Sequence, residues 1–319
     1  MSNSEKIAIL KDFLGGYNRT GQEYLFTCPK CKHHKRKLSV NLDKNVFKCW
    51  ICEFKGNNIN RLVRKYADFN LKAKWRELTG QVEIQQFDEI IATLFPEQEE
   101  DTPEVVKLPN EFLSLANKSK SVLSTKARNY LNKRGITDED ILFWKIGYCP
   151  SGEYAGRIIV PSFSESGDCN YFIGRTYQND WRKYMNPPTS KSKIIFNELY
   201  IDWQEDLVLT EGIFDAIVSG KNSVPILGSS LREQSRLFKS IIRNDTPVYV
   251  ALDPDAEEKA ASLVENLIKY GAEVYKIEVF PYNDVGEMPK KEFQKRKNTA
   301  RLMSSEDAFL QKFISTFDF

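Results

Sequence analysis

Several features are missing from this chain of 319 residues, and each absence narrows what it can be. No apolar run approaches the ~20 residues needed to cross a bilayer, and Met1 to Gly16 has the wrong pattern for a signal peptide. Neither membrane attachment nor secretion is therefore expected. Charge of one sign is not in excess: 46 Lys and Arg against 44 Asp and Glu leave +2, so affinity for a polyanion must come from local patches. No Gly-x-x-x-x-Gly-Lys-Ser/Thr loop occurs, which excludes a P-loop motor within the chain. Internal repeats and low-complexity tracts are lacking as well. Cysteine is sparse, but four of the six lie in two tight pairs, which points to metal binding in a reducing cytoplasm rather than to disulfides. The length suits two or three domains with a real core.

The stretch from Leu207 to Asp255 is the most informative. Leu207-Val208-Leu209-Thr210 is short and apolar enough to be a buried strand. Glu211-Gly212 follows, then Ile213 to Val218 with helical spacing, closed by Gly220. A second strand-like run, Val248 to Leu252, ends in Asp253-Pro254-Asp255, and a helix is expected from Glu257 to Tyr270, stopping at Gly271. Strand, helix, strand, helix with short connections predicts an α/β architecture with a parallel sheet covered on both faces. Such sheets put their chemistry at the carboxyl ends of the strands, here at Glu211 and the Asp253/Asp255 pair.

The spacing of these acids carries a further implication. Asp215 lies one helical turn beyond Glu211 and can face the same cleft, while Asp253 and Asp255 point the same way if extended. Carboxylates converging without cations resist joint ionisation. A hard divalent ion removes that conflict, and Mg²⁺ fits because it accepts few protein carboxylates and keeps substrate phosphates and waters. Any one of these acids alone is more often a solvated strand end; the set in this order favours metal.

Near the N-terminus, Cys28-Pro29-Lys30-Cys31 and Cys49-Trp50-Ile51-Cys52 flank two strand-like runs, Leu38 to Leu42 and Val46 to Lys48, joined by a turn at Asp43 to Asn45. Two Cys-x-x-Cys knuckles separated by a hairpin predict a zinc ribbon with one tetrahedral, structural ion on Cys28, Cys31, Cys49 and Cys52. His33 and His34, the rival ligands, fall in a basic turn and are expected to be exposed, and Cys149 and Cys169 to be small core residues. Lys30, Lys32, Lys35, Arg36, Lys37, Lys44 and Lys48 are set against Asp43 alone, with Phe47, Trp50 and Phe54 interleaved. Cations for phosphates and aromatic faces for unstacked bases suit single-strand binding, although each lysine alone is more often a solvated surface residue.

Helices are expected at Ile7 to Leu14, at Ile59 to Tyr66 and from about Asn70 to Phe95. Glu97 to Glu104 is acidic, contains proline and suits an exposed linker. Beyond it, Ala127 to Gly135 and Thr137 to Phe143 predict two short helices, Arg157 to Pro161 a buried strand, and the basic then apolar stretch from Glu292 to Phe319 a further helix.

Thr210-Glu211-Gly212 with Asp215, then Asp253-Pro254-Asp255, resembles the Toprim signature shared by DnaG-type primases, topoisomerases and some nucleases. With the ribbon in front, and with Arg157-Ile158-Ile159-Val160-Pro161, Tyr171 to Thr176 and Trp181 to Pro187 in order between, the whole chain resembles a compact DnaG-type primase of the kind bacteriophages encode. The resemblance implies a zinc-binding domain at 1–78, a helix and acidic linker at 79–107, and an RNA polymerase domain at 108–319 with a Rossmann-like Toprim part at about 205–285. It implies synthesis of short RNA primers on single-stranded DNA from ribonucleoside triphosphates, with one to two or more Mg²⁺ or Mn²⁺ ions.

By the same resemblance Glu211, Asp253 and Asp255 are catalytic, Glu211 as ligand or as acid/base. Asp215 and Asp284 are further metal ligands, and the second acid of the cluster at Asp284 is replaced by Gly286, with Glu287 one residue on. Nucleic-acid and nucleotide contacts fall on Arg157, Arg175 and Lys183; one further family lysine has no counterpart in register, Lys193 being nearby. A separate replicative helicase is the expected partner. Two alternatives remain: a Toprim nuclease using the same acids, which would not need the basic blocks from Arg157 to Lys183, and a non-enzymatic DNA-binding protein, for which the ribbon alone would suffice. A topoisomerase would need a large further domain with a nucleophilic tyrosine.

Overall fold

Alternation of apolar and polar residues between Tyr24 and Lys48 builds the first sheet. The computed structural model describes residues 3–52, 54–56, 58–79, 104–227, 231–304, 306, 307 and 310. The chain divides into two units, Met1–Thr93 and Leu94–Phe319.

In the first unit β1 (Asn18–Thr20), β2 (Glu23–Phe26), β3 (Leu38–Asn41), β4 (Val46–Cys49) and β5 (Lys55–Gly56) form an antiparallel sheet in sequence order. Tyr24, Val40, Phe47 and Gly56 are successive cross-strand partners on one face. A side chain at position 56 would come within 2.5 Å of the Phe47 ring, so glycine is what lets β5 close on β4. That face is covered by α1 (Asn3–Leu14), α2 (Asn60–Tyr66) and α3 (Phe69–Thr79), through Leu10, Leu62 and Trp75 among others. The Trp75 indole N–H donates to Asn60 Oδ1 at 2.6 Å, which satisfies a polar atom inside this core. The helix expected from Asn70 is seen as Phe69–Thr79. Its continuation to Phe95 and all but the last residue of the acidic linker lie outside the described residues.

The second unit holds two five-stranded sheets. One is antiparallel: β6 (Leu113–Ser114), β7 (Gly147–Cys149), β8 (Arg157–Phe163), β9 (Cys169–Thr176) and β10 (Tyr184–Met185). Between β6 and β7 the chain forms α4 (Val122–Lys133) and α5 (Asp138–Phe143). Ser121 caps α4 by accepting from the Ser124 amide, and Thr137 with Asp140 forms a reciprocal capping box for α5.

The other sheet has the order β12 (Ser223–Pro225), β11 (Leu207–Thr210), β13 (Val248–Ala251), β14 (Val274–Lys276), β15 (Arg301–Leu302). The first four are parallel and β15 is antiparallel. Every residue of β11 and β13 is buried, as expected of central strands covered on both faces. Their helices are α6 (Ile213–Ser219), α7 (Arg236–Arg243) and α8 (Glu257–Lys269). The register pairs Leu207 with Val248 and Thr210 with Ala251. Glu211 and Asp253 therefore leave the sheet on the same edge, side by side.

Two expectations change. The C-terminal stretch is not one helix: α9 (Lys290–Thr299) ends at Ala300, and β15 then adds to the edge of β14. Between Gly220 and Val248, where no element was expected, lie β12 and α7.

Candidate metal centres and nucleic-acid interface

The two knuckles of the ribbon fold back so that Cys28, Cys31, Cys49 and Cys52 offer their sulfurs within 4.8 Å of one another. Cys28 Sγ and Cys52 Sγ are 3.8 Å apart, and Cys31 Sγ and Cys49 Sγ 3.9 Å. A tetrahedron with Zn–S bonds of about 2.3 Å has S···S edges of about 3.8 Å, so the donor set fits one zinc ion with no ligand position left open. Backbone amides support the sulfurs: Ile51 N–H donates to Cys49 Sγ at 3.5 Å, and Lys32, with φ of 49°, donates to the Cys28 carbonyl at 2.9 Å. Burial pushes the Cys28 thiol up to about 12, so a bound cation is what would hold it as thiolate at neutral pH. His33 and His34 stack on each other outside this set. Burial likewise pushes Cys149 up to about 12, in keeping with an inert core thiol.

The aromatic residues between the knuckles separate. Phe47 and Phe54 are buried and pack on each other at 5.0 Å, so they serve the core and not an outer surface. Trp50 is 61% exposed, with the Lys48 ammonium 4.5 Å from its ring.

In the second unit Glu211, Asp253 and Asp255 each offer a carboxylate oxygen within 4.8 Å of the others. Glu211 follows β11 directly, and Asp253 and Asp255 flank the start of a 3₁₀ turn, Pro254–Ala256, after β13. Glu211 Oε2 and Asp253 Oδ1 are buried without a hydrogen-bond partner among the described residues. Buried oxygens left without donors are unfavourable unless something electropositive meets them. Burial, then the charges of Asp215, Glu211, Asp284 and Asp255, pushes the Asp253 carboxyl up to about 7. Three hard oxygen donors around orphaned atoms fit a Mg²⁺ or Mn²⁺ ion.

Asp215 and Asp284 are not brought into that trio. Asp215 is buried on α6 and accepts from Gly212 N–H at 2.9 Å through Oδ2 and from Gly286 N–H at 2.8 Å through Oδ1. A Cβ at position 212 would sit 2.9 Å from one of these oxygens and at 286 3.0 Å from the other. The two glycines thus give Asp215 a close-fitting backbone cradle, and a side chain at 286, where the family carries a second acid, would press on it. Burial and the charge of Asp284 push Asp215 up to about 6, against the opposing pull of those two amides. Asp284 caps the turn Val285–Glu287, accepting from Glu287 N–H at 2.8 Å.

The three basic residues also have different settings. Arg157, its side chain only 5% exposed, donates to Asp180 Oδ2 at 2.7 Å and to the Arg182 carbonyl at 2.9 Å. It is a buried strut of the β9–β10 loop, committed inside the protein and withdrawn from any ligand. Arg175, half-buried on β9, lies over the Tyr184 ring at 4.6 Å and donates from Nε to Tyr130 Oη at 3.1 Å. Lys183 is exposed in the loop. Arg134, at the end of α4, lies 4.7 Å from the Phe214 ring and 5.1 Å from that of Tyr130, where its charge acts on Asp215. The sequence offers no local signal for it: Lys133-Arg134-Gly135 reads as an ordinary helix end.

Residues 4–92 match the CHC2 zinc finger family, the zinc ribbon of DnaG. The chain is similar to the DNA primases of Staphylococcus epidermidis, 23% identical over 312 residues, and of Thermotoga maritima, 24% identical over 325. These alignments cover 82% and 86% of this chain but 52% and 55% of the relatives, so it spans about half their length. The Escherichia coli primase catalytic core superposes with a TM-score of 0.52 at 20% identity, over 64% of this chain and 81% of that one. A DnaG primase catalytic domain bound to single-stranded DNA gives 0.52 at 18% identity, over 73% and 85%. The fold is thus that of the DnaG catalytic core. No helix among the described residues is long and apolar enough to cross a membrane.

Two outcomes test these centres. Cys49→Ser should lower the zinc content of the purified chain from one ion to none, by atomic absorption, and destabilise the ribbon, because structural zinc supplies folding energy; a full ion retained in the variant would contradict the four-thiolate assignment. The second concerns pH. Since Asp215 and Asp253 are raised, their contribution to stability without metal is present below the unfolded carboxylate pKa near 4 and is lost as pH rises through about 6 to 7. Chelator-treated protein should lose melting temperature over that range, less so in Asp253→Asn, and added Mn²⁺ should restore it. An equal loss in wild type and variant would contradict the assignment.

Proposed function

We propose that this relative of the DnaG-type primases is itself a DNA primase that makes short RNA primers on single-stranded DNA from ribonucleoside triphosphates. The observation that carries the proposal is the Glu211, Asp253 and Asp255 trio with its orphaned oxygens, on a Toprim-like sheet preceded by an antiparallel sheet carrying Arg175 and by a zinc ribbon. A nuclease would need the acids but not the ribbon or the antiparallel sheet; a binding module would need no acids gathered against their own repulsion.

In this reading Glu211, Asp253 and Asp255 hold the catalytic metal, with Asp215 and Asp284 reinforcing the negative field around them. A bound divalent ion supplies charge neutralisation at the reacting phosphate and orients the attacking and leaving oxygens. Arg175, with Arg134 and exposed Lys183, provides the positive counterpart that orients triphosphate and template. Arg157 acts at one remove by fixing the loop that carries Lys183. Phosphoryl transfer of this kind depends mainly on positioning and charge, which is what these side chains offer.

The division proposed is a zinc-binding domain at 1–78, a linker region at 79–107 and a polymerase domain at 108–319. The two units of the fold support it in outline. The ribbon would read the template start site and a separate replicative helicase would be the partner. A reducing cytoplasm, the host's if the gene is of phage origin, suits the zinc thiolates.

With Mg²⁺, labelled ribonucleotides and a mixed-sequence single strand, the chain should yield new short RNA on a sizing gel, and Asp253→Asn should lower the yield by about 10³, with its fold retained. Shortened DNA in place of RNA would favour the nuclease, and normal yield from the variant would remove Asp253 from the chemistry.

A further inference from the structure

Trp181 is 87% exposed at the tip of the loop joining β9 to β10, and the Arg182 guanidinium lies over its ring at 5.2 Å. Lys183 beside it is also exposed. A loop tip bearing a bare indole followed by two cations would ordinarily be mobile. This one is held from beneath. Arg157 spends a buried guanidinium on Asp180 and on the Arg182 carbonyl, while Arg182 N–H donates to Asp180 Oδ1 at 2.9 Å and Thr176 N–H to the Lys183 carbonyl at 3.1 Å. Burying a cation is unfavourable unless it is fully paired, so the pairing fixes the loop in one shape. A merely connecting loop gives no reason for such a brace.

The root of the same hairpin connects by contacts to α6, which carries Asp215. Tyr184 pairs with Arg175 across the two strands and lies 4.6 Å beneath its guanidinium, Arg175 donates to Tyr130, and the Tyr130 ring meets that of Phe214, the neighbour of Asp215, at 6.1 Å. Tyr184 lies three positions after Trp181, at most ~11 Å of chain. One hairpin therefore links the neighbourhood of Asp215 to an exposed aromatic that is followed by two cations.

We infer that the β9–β10 loop is a preorganised single-strand platform, on which Trp181 stacks an unpaired DNA base while Arg182 and Lys183 meet the flanking phosphates. Cations and an aromatic face together are the chemistry that recognises single strands irrespective of sequence. A loop backbone already braced has less to order when a base covers the indole it carries. The inference deepens the primase reading and rests on it for the identity of the strand as template.

The test uses the full chain and a fluorescein-labelled oligothymidylate carrying iodouracil. Trp181→Ala should bind about tenfold more weakly with its melting temperature unchanged, and Trp181→Phe should keep most of the affinity, as one stacked base predicts. Arg182→Ala should flatten the slope of log affinity against log salt by about 0.7. Irradiation should crosslink the wild-type strand to Trp181. Unchanged affinity in Trp181→Ala, as expected if the patch serves a protein partner, would overturn the platform while leaving primer synthesis by the wild type intact, and so would crosslinks confined to other residues. No binding by the wild type would overturn both readings.

Discussion

Glu211, Asp253 and Asp255 lie within one ion's reach of each other at the ends of two fully buried strands, and the repulsion among them is the constraint that the surrounding structure answers. Asp215 adds a fourth negative group nearby, partly offset by the amides of Gly212 and Gly286. Gly286 lies 71 residues beyond Asp215, so the cradle ties the turn at Val285–Glu287 to the start of α6. Above the acids the answer is different: oxygens of Glu211 and Asp253 are left without donors, a place kept for a cation. The backbone thus offsets part of the cost of the inner carboxylate, and a metal is left to neutralise the outer ones.

The same economy recurs at two other places. In the ribbon, four sulfurs are gathered at tetrahedral edge distances, and burial alone would keep Cys28 protonated. In the antiparallel sheet, the cation of Arg157 is withdrawn into the protein so that neighbouring ones can stand outside it. In each case a buried charge or thiol is spent on fixing a surface segment. Catalysis of phosphoryl transfer by positioning needs segments fixed in this way, because misplacing a reacting group by about 1 Å can lower the rate on the order of 10²-fold.

Much of this was legible from the sequence, for physical reasons. β11 and β13 are continuous apolar runs because both faces are buried, and the knuckle spacing is dictated by zinc geometry. What was not legible depends on partners distant in the chain. Arg157 looks like a cation entering a buried strand, and nothing nearby signals that Asp180, 23 residues on, will bind it. Phe47 shares the alternation of a basic hairpin, yet the cross-strand register turns it inward, where Phe54 packs on it. Gly286 reads as the loss of an acid, and only the fold reveals a donor to Asp215 there. β12 is three residues ending in proline, too short for periodicity to mark.

The central claim is that one divalent ion binds between the turn after β11 and the turn after β13. Replacing Mg²⁺ by Fe²⁺ and generating hydroxyl radicals at the bound ion, followed by mass mapping of the cut backbone, locates it directly. The account predicts cleavage around Glu211 and around Asp253 to Asp255, suppressed by excess Mg²⁺ and absent in Asp253→Asn. Cleavage that spares both segments, or that persists unchanged in the variant, would contradict it.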